Sequence, residues 1–260
     1  MTRPRHVDVR PFPSNRRLVT AALRAGRRTV PMHGLLDLDV TDATHLLGTH
    51  DPPLSFTAYV VAAAGRAVAS HPEVQAYRNW RGQLVIHRHV DVSTIVEITT
   101  PQGPFPLVHT IRDADIRDVA DLSAELHRVK STPFPRHRRA SERLMPIATR
   151  VPGAIRTLYA LLSRSVRLRQ RSGTVTVTAI GMFAEGGGFA LAPLTLMSLQ
   201  IVVGGITERP RVVKDRVEIR SILDLTVSID HNVVDGGPAA RFGAELRHQI
   251  ESAEVLNPNT

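Results

Sequence analysis

The first regular pattern along the chain is helical. Leu18, Ala22 and Ala25 share one face between Arg16 and Arg27, which predicts an amphipathic helix. From Leu35 to Val40 apolar and acidic residues alternate, as in a half-buried strand. Leu54 to Ser70 carries Phe56, Val60, Ala64 and Val68 at helical spacing and ends before His71-Pro72. Two β-branched runs between Leu84 and Thr100 read as strands, and Asp118 to Val129 as a helix with Leu122 and Leu126 inward. Thr174 to Ile180 alternates again, while Leu199 to Gly204 is the near-continuous apolar run of a buried strand. Val212 to Val217 looks like a hairpin feeding Ile222 to Ile229, and Phe242, Leu246 and Ile250 mark a last helix face. Helices and strands mix without an internal repeat or a long linker. The pattern predicts one α/β sandwich domain over residues 1–260.

One stretch breaks this order. Ser131 to Ser172 is rich in arginine and holds Pro133, Pro135, Pro146 and Pro152. Inside it Ile155, Leu158, Leu162 and Val166 form an apolar stripe beside Arg156, Arg164 and Arg167. This arm is expected to carry a basic amphipathic helix that packs on its own domain or on a neighbouring subunit. A helix lying on a membrane surface is the alternative.

Composition narrows the classes. A chain of 260 residues can bury one sizeable core or two small ones. The net charge is +9, but Lys130 and Lys214 are the only lysines and aromatics make up 4%, so there is little to stack on bases. That argues against a nucleic-acid partner. The absence of cysteine excludes disulfides, thiolate metal sites and a cysteine nucleophile. Met1 to Arg10 is polar, without the apolar core of a signal peptide. The apolar run Tyr59 to Ala64 is interrupted by Arg66, too soon to span a bilayer. The expectation is a cytoplasmic protein with no membrane partner and no bound metal.

The candidate chemistry lies between Ser228 and Phe242. A strand ends at His231, and Pro238 suits the first turn of the following helix. His231 and Asp235 therefore occupy a short connection whose two ends are held by regular elements, a common place for catalytic groups. A histidine there can serve as a general base near neutral pH, and an aspartate four residues on can fix the loop. The plain alternative is a histidine that only ends a strand.

The segment Asp230-His231-Asn232-Val233-Val234-Asp235-Gly236, with Ala239-Ala240 and Phe242, resembles the signature of chloramphenicol acetyltransferase and of the catalytic domain of the dihydrolipoyl acyltransferases. Asn232 stands where arginine is usual. The similarity extends to Arg16-Arg17 through Thr29-Val30-Pro31, although Met32 replaces a frequent histidine, and to Leu35 to Thr41. His71-Pro72-Glu73-Val74, Thr100-Pro101-Gln102-Gly103 and Gly173-Thr174 through Gly181-Met182-Phe183 recur in the expected order. The arm is the main departure.

The resemblance implies a two-layer sandwich with a mixed sheet, assembled as a homotrimer or a multiple of trimers with a site shared by two subunits. It implies acyl transfer between coenzyme A, as substrate, and a dihydrolipoyl or other thiol or hydroxyl acceptor. His231 would take the proton of the attacking group, and Thr178 stands where a serine often stabilises the oxyanion. Asp235 would pair with Arg16 and hold the histidine loop. Lys214 is read as an ordinary turn residue and not a lipoyl lysine, so a lipoylated carrier would arrive on another chain. O-acetylation of a small hydroxyl compound is a second enzymatic reading. A non-catalytic scaffold or regulatory subunit with the same fold is the alternative of another class.

Overall fold

The computed structural model describes residues 7–12, 14–100, 103–131, 154–181 and 186–256. Eight strands and seven helices follow in chain order among these residues: α1 (Ser14–Gly26), β1 (Pro31–Asp39), α2 (Thr41–Thr49), α3 (Phe56–Ser70), β2 (Tyr77–Arg78), β3 (Leu84–Val85), β4 (Val92–Thr100), β5 (Gly103–Ile111), α4 (Val119–Ser131), α5 (Ala154–Arg164), α6 (Val166–Arg169), β6 (Val175–Ala179), β7 (Leu199–Val213), β8 (Arg216–Asp230) and α7 (Gly236–Glu251). The main sheet has six strands in the order β1-β8-β7-β6-β4-β5. β6 runs parallel to β4 and β7, and the other neighbours are antiparallel, so the sheet is mixed.

The two faces of the sheet differ in chemistry. On β8, Leu223, Leu225, Val227 and Ile229 enter the apolar core. The alternating residues Asp224, Thr226, Ser228 and Asp230 are also buried, but they face the other way, because successive side chains of a strand point to opposite sides. α3 fills the core layer. Every residue from Ala58 to Gly65 is buried, which explains why its pattern is apolar all round. Ser55 accepts a hydrogen bond from the Ala58 backbone N–H at its start, and Tyr59 donates its hydroxyl to the Ile250 carbonyl, locking α3 against α7. Phe242, Leu246 and Ile250 of α7 are fully buried, as their spacing predicts.

The hairpin at Val212 to Val217 forms. Lys214 and Asp215 both adopt positive φ in its tight turn, so Lys214 is a turn residue. The arm differs in detail from its sequence pattern. The expected stripe from Ile155 to Val166 is divided: α5 ends at Arg164, extended Ser165 intervenes, and α6 begins at Val166. α5 packs along α1, yet Leu158 and Val166 remain substantially exposed. Residues 132–153, with Pro133, Pro135, Pro146 and Pro152, lie outside the described residues, as does the Ile155 side chain. Among the described residues, no helix is long and apolar enough to cross a membrane.

Candidate active site

The β8–α7 connection is built around one carboxylate. Asp230, the last residue of β8, is 9% exposed. Its Oδ1 accepts the Val30 N–H at 3.1 Å, the Asn232 N–H at 3.1 Å and the Asn232 side-chain amide at 2.8 Å. The same amide donates to the Arg28 carbonyl at 3.1 Å. His231 donates its backbone N–H to the Val30 carbonyl at 2.8 Å, and Val233 donates to the Asp230 carbonyl at 3.0 Å. The turn that carries His231 is thus stitched to the segment between α1 and β1. The imidazole is 47% exposed and projects from a backbone held on both sides.

Asp235 sits at the N-cap position of α7 and makes no side-chain capping bond. Its carboxylate is 91% exposed and lies 3.9 Å from His231 Nδ1. Within this protomer its close neighbour is the His231 ring, and Arg16 is exposed on α1. The turn itself is held by Asp230 and Asn232. The sequence pattern passed over both: Asp230 matched a motif without a role, and Asn232 stood out as a departure. An Asp-x-Asn triplet at a strand end, where a short amide can close on the carboxylate two residues back, was the available signal.

Thr178 lies on β6, half-buried, in register with Val202 of β7 and through it with Thr226 of β8. Gly181 follows at the end of this strand. A side chain at that position would run into the Gly204 carbonyl, so the close approach of β6 to β7 requires glycine. His231 is five residues beyond Thr226 along β8. At about 3.3 Å per residue and about 4.8 Å per strand, it stands about 19 Å from Thr178. The two residues do not meet within one protomer.

The sheet face that carries Thr178 is polar. His33 Nδ1 and Ser228 Oγ are 2.8 Å apart, and Arg209 pairs with Asp224 at 2.5 Å. The Thr207 and Thr226 hydroxyls and Asp224 Oδ1 are buried there without a hydrogen-bond partner. Among the described residues, no group of three His, Cys, Asp or Glu side chains is placed to hold a metal ion.

A mixed six-stranded sheet with a core layer of helices on one face, a polar second face and a histidine at the β8–α7 junction is the chloramphenicol acetyltransferase-like fold. Chloramphenicol acetyltransferase itself superposes with a TM-score of 0.54 at 12% identity, covering 94% of this chain and 98% of that one. The narrower assignment follows from residues 7–134 and 163–257, which match the family described as 2-oxoacid dehydrogenases acyltransferase (catalytic domain); the chain belongs to this family. A probable dihydrolipoamide acetyltransferase from Listeria monocytogenes shares the fold with a TM-score of 0.69 at 16% identity, covering 98% of this chain and 97% of that one. The dihydrolipoyllysine-residue acetyltransferase component of the pyruvate dehydrogenase complex from Mycoplasma pneumoniae is 26% identical over 207 residues, 79% of this chain and 43% of that protein. The mitochondrial succinyltransferase component of the 2-oxoglutarate dehydrogenase complex from Sus scrofa is 24% identical over 240 residues, 91% of this chain and 45% of that protein. The chain therefore spans less than half the length of these two multienzyme components.

Proposed function

We propose that the protein transfers an acyl group between coenzyme A and a dihydrolipoyl thiol, with His231 as general base, at a site completed by a second copy of the chain. The observation that carries this reading is the tethered histidine turn. The backbone of His231 is fixed by Val30 and Asp230 while its ring stays half exposed, the arrangement required of a base that must meet an incoming thiol. His231 removes the thiol proton as sulfur attacks the thioester carbonyl, and returns it to the departing thiolate when the tetrahedral intermediate collapses. Thr178 of the adjoining copy donates its hydroxyl to the oxyanion. The separation of about 19 Å between the two residues supports a site shared by two copies, and the resemblance to the acyltransferase family makes the assembly a trimer or a multiple of trimers. The Asp235 carboxylate stands 3.9 Å from the imidazole Nδ1, on the ring's far side from a thiol met by Nε2. A lipoylated carrier on another chain supplies the acceptor, and the cytoplasm is the compartment in which we place the reaction.

The test is His231→Ala. The rate of acyl transfer from acyl-coenzyme A to dihydrolipoamide should fall by about 10²-fold or more. Binding of coenzyme A should be largely kept, because the histidine acts on the reacting thiol. Full activity of the variant with the donors and acceptors used by the wild type would make the histidine structural.

A further inference from the structure

The part of this chain that departs from its family is the arm. The family match breaks between residues 134 and 163, and nearly all of α5 lies in that gap. α5 packs along α1, and both helices keep apolar residues in solvent: Val19 and Leu23 on α1, and Leu158 and Leu161 on α5. The chain segments that carry them hold charge of one sign. There is no acidic residue between Asp8 and Asp37, nor between Glu142 and Glu185. Arg24, Arg27, Arg28, Arg164 and Arg167 are exposed, and none of them forms an ion pair among the described residues. Arg164 rests on the exposed ring of Trp80, 5.5 Å from its centroid, which extends the surface sideways.

This surface leads to the active site. α1 ends at Gly26, the Arg28 carbonyl accepts from Asn232, and the Val30 carbonyl accepts from His231. Five guanidinium groups that pair with no carboxylate among the described residues set up a positive potential that attracts an anionic partner and repels the same face of a second copy. Apolar residues between the arginines fit a protein surface in which acidic and apolar side chains are interleaved.

We propose that the α1–α5 surface docks an acidic carrier domain and brings its thiol arm to His231. This rests on the functional reading above and adds to it where the carrier binds and the sign of its charge. Docking here is electrostatic, so it lowers the KM for a carrier-borne thiol and leaves that for a free thiol alone.

The experiment compares wild type with the double variant Arg24→Glu, Arg167→Glu, using acyl-coenzyme A as donor. Acceptors are free dihydrolipoamide and an acidic lipoylated domain in its reduced form, with direct titration of that domain by fluorescence anisotropy. For the carrier, the variant should raise KM and Kd about tenfold or more at low salt, and added salt should shrink the difference. The parameters for free dihydrolipoamide should be unchanged, which also reports that the fold survives. Equal carrier KM and Kd in the two proteins would overturn the proposal. So would a variant that binds the carrier normally but loses affinity for phosphatidylserine vesicles, since the surface would then serve lipid. A wild type inactive with free dihydrolipoamide would remove the functional reading, and the anisotropy titration would still decide the docking.

Discussion

Asp230 and Asn232 show how the side chain proposed as the base is positioned through its backbone. One carboxylate oxygen collects three N–H groups and so closes the turn behind His231. Asn232→Ala removes two of the side-chain bonds, to Asp230 and to the Arg28 carbonyl. Each is worth about 1 kcal/mol, so the stability loss should be about 1–2 kcal/mol by urea unfolding. The activity loss should exceed what that small destabilisation explains, because the turn that aims the imidazole loosens. An Asn232→Ala enzyme with wild-type kcat would show that Asp230 alone suffices. Asp230 and His231 were both within a motif legible in the sequence. The role of Asn232 was not, because its worth depends on Arg28, which is 204 positions away and reaches the turn only once β1 has paired with β8.

Elements show the same division. α3 and α7 were legible because periodicity reports burial directly, and Phe242→Ala should cost about 3–5 kcal/mol in unfolding free energy. α2 was not read from the sequence: it buries only Ala43 and Leu47, too few positions for a periodic signal. The arm posed a different problem. Arg169 of α6 looks like one more surface arginine, yet it is 1% exposed, its guanidinium lies 4.6 Å from the Tyr77 ring centroid, and Nε and Nη2 have no partner. Burial pulls its pKa down to about 10. Replacing a poorly compensated buried charge with an apolar side chain of similar length removes that penalty. Arg169→Met should leave the unfolding midpoint unchanged or raise it, and a marked fall would mean that its bond to the Leu196 carbonyl dominates. Beside it His87 is buried, stacked on Tyr77 at 5.7 Å, and held below the usual histidine pKa first by burial and then by His89 and Arg169. The unfolded chain therefore takes up this proton first as pH falls. The contribution of neutral His87 is fully present above about pH 6.5 and is lost below it. Denaturation midpoints between pH 7.5 and pH 5 should decline less steeply in His87→Gln than in wild type.

At the scale of the whole molecule, the sheet register makes the central demand. Thr178 on β6 and His231 just past the end of β8 are two strands apart and about 19 Å from each other, so a protomer has both halves of the proposed machinery and no complete site. Mixed assemblies test this directly. His231→Ala and Thr178→Val chains, each impaired alone, should regain activity when co-expressed, because about one site in four then draws an intact His231 and an intact Thr178 from different copies. Strict additivity of the two impaired activities would place both residues in one chain's site.

Sequence alone determined what depends on nearest neighbours and on period: the helices with long apolar faces, the hairpin turn at Lys214, the polar connection that follows β8, and a motif specific enough to name a family. These are local properties, written in the spacing of side chains along one element. Tertiary structure decided what depends on pairing across distance. It set Val30 and Arg28 against the His231 turn, left Asp235 in solvent, buried Arg169 in an arm that reads as surface, and placed Thr178 out of reach of His231. No residue's own chemistry encodes these outcomes, because each is fixed by the register between strands that join only when the sheet forms.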